Sequence, residues 1–193
     1  MDEGGLGLRL FTDMVNAFSC KLWWKLRKYH SILADFMHSK YIKGLHPTVV
    51  EVERPPGSWR RLLSVRTFAE KNIFWNIGEG IVDFWYDWWC GDKPLMAELG
   101  IQDPPHMLVG EFFVGENWDL PRLRHWLPEP MVWTISVIIV DSSFKDSMVW
   151  QGSPSGDFAT SVAWEQLRQR RSGSLVDKLL WSRVLWLKIS VFA

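Results

Sequence analysis

Residues 75–88 read Trp-Asn-Ile-Gly-Glu-Gly-Ile-Val-Asp-Phe-Trp-Tyr-Asp-Trp, crowding large aromatics around Gly78-Glu79-Gly80. Aromatic-rich arms flanking a glycine loop predict a β-hairpin over about residues 72–88. Glycine supplies the positive φ of a tight reversal. On the first arm Ile73, Trp75 and Ile77 share a face. On the second, Val82, Phe84, Tyr86 and Trp88 point one way and Trp85 the other. A segment with large aromatics on both faces must be covered on both faces. It is a packing unit, with nothing in it built like a catalytic centre.

Fourteen tryptophans in 193 residues extend the same demand to the whole chain, which must bury a large area or find a partner that does so. At 47% apolar residues the composition is that of a folded protein, with one core or two small ones. Net charge is zero, yet residues 1–71 carry twelve Lys/Arg against seven Asp/Glu, and residues 72–160 four against thirteen. Residues 161–193 return to six against two. This basic–acidic–basic order lets the ends meet RNA or DNA, or pair with the middle. Cys20 and Cys90 exclude a disulfide-dense scaffold, and no Cys-x-x-Cys offers the usual zinc spacing. No signal pattern opens the chain, and the apolar run Met131 to Val140 falls far short of the roughly 20 residues that span a bilayer. The expectation is a soluble intracellular chain, nuclear or cytoplasmic, with no membrane contact and no cofactor.

Along the chain, Phe11, Val15, Phe18, Leu22, Leu26 and Tyr29 recur at helical spacing, with Thr12 or Asp13 near the start. Leu33, Phe36, Met37 and Tyr41 predict a second helix stopping at Gly44. His46 to Pro56 reads as extended, and Ser58 to Lys71 as a third helix. After the hairpin, Gly91 to Gly115 is a connector with one helical turn, and Asn117 to Trp126 a short helix. Val132 to Val140 is divided between strand-forming Val/Ile/Thr content and a proline, Pro130, that suits a helix's first turn. A second hairpin or wide turn spans about 148–159. Thr160 or Ser161 caps a helix through Arg171, and a stripe of Val176, Leu180, Val184, Leu187 and Val191 follows. The fold class expected is α+β, mainly helical with two short hairpins. Three segments organise it: 1–71, basic and helical; 72–116, aromatic hairpin and connector; 117–193, helical with the second hairpin.

Candidate chemistry is sparse. Asp83 and Asp87 would sit about 13 Å apart on a strand, too far for one metal ion, and with Asp92 they read better as turn and capping residues. His30, His38, His46, His106 and His125 form no i, i+4 ligand pair. No nucleophile elbow appears, and Gly78-x-Gly80 does not lead into a helix as a dinucleotide loop does. No catalytic or metal residue is assigned. The basic helix faces carry more: Lys21, Lys25, Arg27 and Lys28 alternate with Trp23, Trp24 and Tyr29, and Arg60 and Arg61 follow Trp59. Cations among aromatics hold phosphates and stack bases, making these six the nucleic-acid-binding candidates. The plain alternative is a solvated helix face whose long stems cover apolar surface.

Landmarks in order then resemble one family. They run from Gly4-Gly5-Leu6-Gly7 through Lys21-Leu22-Trp23-Trp24-Lys25-Leu26, Lys40-Tyr41 and Trp59-Arg60 to Trp75-x-Ile77-Gly78-x-Gly80 with Phe84-Trp85-x-Asp87-Trp88. Trp118-Asp119-Leu120, Trp150 with Ser155-Gly156-x-Phe158, Ala163-Trp164, and Trp181 with Leu185-Trp186-Leu187-Lys188-Ile189 complete the series. Together they resemble plant non-LTR (LINE-type) retroelement reverse-transcriptase polyproteins, in the region after the polymerase that leads into the reverse-transcriptase zinc-binding domain. The resemblance implies a polymerase aspartate pair upstream and Cys/His zinc ligands beyond Trp186–Lys188, and neither set occurs in this chain. It implies that residues 117–193 include the start of a zinc-binding-type domain. The resulting expectation is a non-catalytic retrotransposon remnant, a scaffold or connector between polymerase and zinc-binding segments, prone to self-association through its apolar C-terminal segment. A nucleic-acid-binding module is the competing reading.

Overall fold

Helix α1, Phe11–Arg27, turns Ala17, Cys20, Trp23, Trp24 and Leu26 inward. Asp13 in its first turn and Lys25 in its last complement the helix dipole. The structure is a computed structural model, and it describes residues 11–28 and 31–168. The apolar stripe from Val176 to Val191 and the projected helix end at Arg171 lie outside those residues.

Ser31 caps α2, Ile32–Met37, its hydroxyl accepting from the Ala34 amide at 3.1 Å. The helix then widens into one π turn, His38–Ile42, and stops where Lys43 and Gly44 adopt positive φ. Residues 46–56, expected to be extended, instead contain a turn at Pro47–Val49 and irregular backbone. Helix α3, Gly57–Glu70, buries Trp59, Leu62, Val65 and Ala69 at steps of three and four and packs along α1.

The predicted hairpin over 72–88 does not form. Its first arm is a strand, β1 (Ile73–Asn76), but residues 81–90 turn back on themselves without pairing to it as a strand. β1 pairs antiparallel with Ser147–Trp150, putting Ile73 opposite Trp150 and Asn76 opposite Ser147. The two segments expected to start separate hairpins thus form one sheet together. The glycines serve approach rather than reversal. A Cβ on Gly78 would collide with the Phe144 carbonyl, and one on Gly80 (φ +81°) would lie 2.5 Å from the Gly110 Cα. The Asp146 carboxylate ties down the same stretch by accepting the amides of Gly78 (2.5 Å), Gly80 (3.0 Å) and Val82 (3.1 Å).

Beyond it, α4 (Leu95–Leu99) is the one helical turn expected in the connector, and a 3₁₀ turn at Val109–Phe112 follows. An unforeseen hairpin joins β2 (Phe113–Val114) to β3 (Asn117–Trp118) around Gly115. Asp119 caps α5, Leu120–Trp126, accepting from the Arg122 amide at 3.1 Å. Pro130 decides the divided stretch: α6 runs Glu129–Ser136, burying Val132 and Ile135, and Val137–Val140 leaves the helix. Then comes the second sheet strand, β4 (Ser147–Trp150), and a wide turn closed by the Trp150 amide on the Gly156 carbonyl at 2.7 Å. Helix α7, Thr160–Leu167, takes Ala159 as its cap without a side-chain bond, so Thr160 and Ser161 sit inside the first turn instead.

The fold is mixed α+β and mainly helical, with two small antiparallel sheets among the described residues. Its apolar residues form two clusters. Trp23, Trp59 and Trp150 centre the first, which gathers α1, α3, β1, β4 and α7. Phe84, Trp85, Trp89 and Phe112 centre the second, with Phe84 and Phe112 stacked 4.0 Å apart. The aromatics of residues 82–89 are covered as their sequence requires, within a folded turn rather than on a hairpin.

Gly80→Ala meets both left-handed strain and a backbone that cannot yield, so urea unfolding should show a loss of about 3 kcal/mol. Gly115, also at positive φ but with open space around its Cβ position, should cost only about 1 kcal/mol as Ala. Equal losses at the two sites would remove close approach as the reason for Gly80.

Candidate functional site

Between the two clusters lies a cleft of about 930 Å³, and most of the chain's buried charge faces it. The C-terminal end of α1 delivers Arg27 and Lys28. The loop after Gly44 brings His46, the folded turn brings Asp83 and Asp87, and the approach to β4 brings Asp146.

Asp87 is the centre of this group. It is buried, and one of its oxygens meets the Arg27 guanidinium and His46 Nε2 (3.1 Å). The other oxygen accepts the Asp83 amide at 2.9 Å. Arg27 continues to Glu70 through Nε at 3.1 Å, and the Trp23 indole N–H donates to the same Glu70 oxygen at 2.6 Å. The His46 ring stacks on Tyr86, 5.1 Å between centroids and 14° from parallel. Burial opposes the charge on Asp87, but Arg27, His46 and the Asp83 amide together overcome it, lowering the carboxyl to about 2.

Asp83 is equally committed. One oxygen accepts the amides of Trp85 and Tyr86, each at 2.9 Å, and the other meets His106 Nδ1 at 2.5 Å. On a strand Asp83 and Asp87 would be far apart. Because the segment turns, the amide of one reaches the carboxylate of the other. Asp92 stays exposed and outside the cleft. The carboxylates of Asp83, Asp87 and Asp146 therefore act as clamps on backbone amides, the turn role expected of the first two. Asp146, Glu70, His46 and His106 carried no such sign. Their partners lie 23 to 68 residues away, and no local spacing announces them.

The Thr48 hydroxyl lies 2.6 Å from His46 Nδ1, completing a Thr–His–Asp chain. It is a contact across two residues of a local turn, and Thr48 does not line the cleft.

The six basic candidates do not make one surface. Arg27 is buried in its ion pairs. Lys21, Lys25 and Lys28 share the outer side of α1, where Lys28 lies over the Trp24 ring at 4.8 Å and pairs with Asp157 at 3.4 Å. These three border a shallow hollow with Trp24 and Phe158. Arg60 and Arg61 are exposed at the start of α3, and Arg60 donates to the Pro55 carbonyl at 3.3 Å. Arg60 lies about 15 Å along α3 from Glu70, the residue that meets Arg27 at the end of α1. Of the interleaved aromatics, Trp23, Trp24 and Trp59 are buried, and Tyr29 lies outside the described residues.

Among the described residues no group of three or more His, Cys, Asp or Glu can hold a metal ion, so they do not fit a zinc site. Cys20 and Cys90 lie in different clusters, and burial pushes both thiols up to about 12. No helix among the described residues is long and apolar enough to cross a membrane.

No family model and no solved structure matches the chain. A plant protein does. Over 182 residues the chain is 25% identical to the Arabidopsis thaliana "Putative ribonuclease H protein", a match covering 86% of this chain and 28% of that protein. The chain thus spans less than a third of that relative's length.

Asp87→Asn takes from buried Arg27 one of the two carboxylates it meets, Glu70 remaining, and should cost about 3 kcal/mol in chemical denaturation. The pH dependence has a defined sign. A carboxyl lowered in the folded state contributes stability fully above its ordinary value near 4, and loses it as pH falls through about 2. That contribution is about 2 kcal/mol. Acid titration of stability should therefore lose this component in Asp87→Asn; an unchanged acid slope would contradict the assignment.

Proposed function

We propose that this chain is a non-catalytic structural region of a plant retroelement-derived polyprotein, a scaffold that spaces neighbouring segments. Two likenesses of the sequence support the origin: the ordered tryptophan and glycine landmarks, and the similarity to the longer Arabidopsis protein. The scaffold reading is carried by one observation. Three of the carboxylates that line the cleft, Asp83, Asp87 and Asp146, accept backbone amides, and two of them also meet Arg27, His46 or His106, so these three hold the chain in shape. Hydrolysis of a nucleic-acid phosphodiester needs carboxylates or a base free to work on a metal or a water. In this reading any ribonuclease H chemistry belongs to other parts of the longer polyprotein. Incubation of the chain with an RNA–DNA hybrid and Mg²⁺ or Mn²⁺ should give no cleavage. Cleavage abolished by Asp83→Asn would overturn the proposal.

A second reading has its own observation: Lys21, Lys25 and Lys28 recur at i, i+4 and i+7 on one side of α1 beside the Trp24–Phe158 hollow. This is a phosphate-contact face. Fluorescence anisotropy with single-stranded RNA should then show affinity falling with salt, and neutralising Lys25 and Lys28 should flatten the log–log slope by about 1.4. Absence of binding at low salt would dismiss this reading and leave the scaffold.

A further inference from the structure

The β1–β4 sheet leaves one strand edge open inside the cleft, and its bonding phase shows which backbone groups face out. The Trp75 amide donates away from β4, to the Trp88 carbonyl at 2.8 Å. The Trp150 amide donates away from β1, to the Gly156 carbonyl at 2.7 Å. Ile73–Trp150 and Trp75–Met148 are therefore the non-hydrogen-bonded pairs of the antiparallel ladder. Met148 consequently turns both its N–H and its C=O away from β1, and neither has a partner among the described residues. Yet Met148 is only 6% exposed, and it lines the cleft together with Ser147 and Val149. Backbone groups in so buried a place are nearly always paired, with protein or with water. A free strand edge is also a template for one more strand.

We propose that this edge docks an extended peptide rich in basic residues, added as a third strand beside β4. Main-chain bonds to Met148 set its register. Charge selects the occupant. The cleft lining holds five carboxylates against three lysine or arginine cations, and His46 and His106 each face one of those acids. An acid stands at either end of the edge. Glu79 lies between Gly78 and Gly80, whose amides bond Asp146, the residue before β4. Asp157 follows Gly156, which closes on Trp150. Both acids are exposed, so either can meet an incoming cation. This surplus of carboxylates repels a nucleic-acid phosphate and draws in lysine or arginine side chains. Leu45, Ile81 and Leu108 in the same lining suit the apolar positions of an alternating strand. The docking does not depend on the proposed origin of the chain.

The test uses the full chain and a fluorescein-labelled, acetylated hexapeptide of alternating lysine and valine. Fluorescence anisotropy at low salt should show saturable binding, weakened several-fold by Glu79→Gln combined with Asp157→Asn. These two side chains are exposed, so the variant keeps its fold. A second readout isolates the main-chain bonds. Only alternate amides of an added strand face β4. One peptide is N-methylated at its lysines and another at its valines; one of the two should lose binding and the other keep it. Equal effects of the two methylation patterns would overturn the proposal. So would absence of binding at millimolar peptide, or an affinity unchanged by the two acid substitutions.

Discussion

The buried charge of Asp87 is the constraint on which the rest of the arrangement depends. An ion of this kind is costly to desolvate, so it survives in the interior only with a full set of partners. Those partners come from three places: Arg27 at the end of α1, His46 in the loop after Gly44, and the Asp83 amide in the aromatic turn. Arg27 in turn recruits Glu70, and Glu70 recruits Trp23 at the centre of the first cluster. Because Phe84, Trp85 and Trp89 sit on the same turn as Asp87, one ion pair fixes the second cluster's aromatic heart to the α1–α3 pair.

Carboxylates, beside one short antiparallel bridge between Asp83 and Leu108, stand in for a strand partner. A chain leaving β1 with a strand-like aromatic pattern would normally satisfy its amides across a sheet. Here Asp146 takes the amides of Gly78, Gly80 and Val82, Asp87 takes that of Asp83, and Asp83 takes those of Trp85 and Tyr86. The segment can then coil, and coiling lets successive aromatics enter one core instead of alternating between two faces. The cost falls on glycine: Gly78 and Gly80 must press against Phe144 and Gly110, leaving no room for a Cβ. Asp83, Asp87 and Asp146 thus each carry a backbone duty in the cleft they line.

Local signals carried much of the fold. The helices α1 and α3, the end of α2's helical run at Gly44, and the turn after Trp150 were legible from neighbours a few residues apart. The inward face of α1 was not: Phe11, Phe18 and Leu22 of the expected stripe are exposed, while Ala17, Cys20, Trp23 and Trp24 are buried. Pairing was not. β1 and β4 are about seventy residues apart, and each carried a plausible turn of its own, so a local hairpin was the natural inference at 72–88. The reversal at Phe113–Trp118 was hidden because two-residue strands carry almost no alternation. The packing nature of residues 75–88 was visible. The role of Asp87 was half visible, since a turn carboxylate was expected but its partnership with Arg27 was not. Lys25 and Arg27 look equivalent in sequence, and only helix phase relative to α3 sends one to solvent and the other into the interior.

A double-mutant cycle between Arg27 and Asp87 tests the central claim most directly, using Arg27→Met, Asp87→Leu and their combination, with stability read by chemical denaturation. If the pair joins the two clusters, each single change is severe and the double change recovers much of the loss, giving a coupling of about 2–3 kcal/mol. Losses that add to within about 0.5 kcal/mol would mean that the two charges act independently, and that something else holds the clusters together.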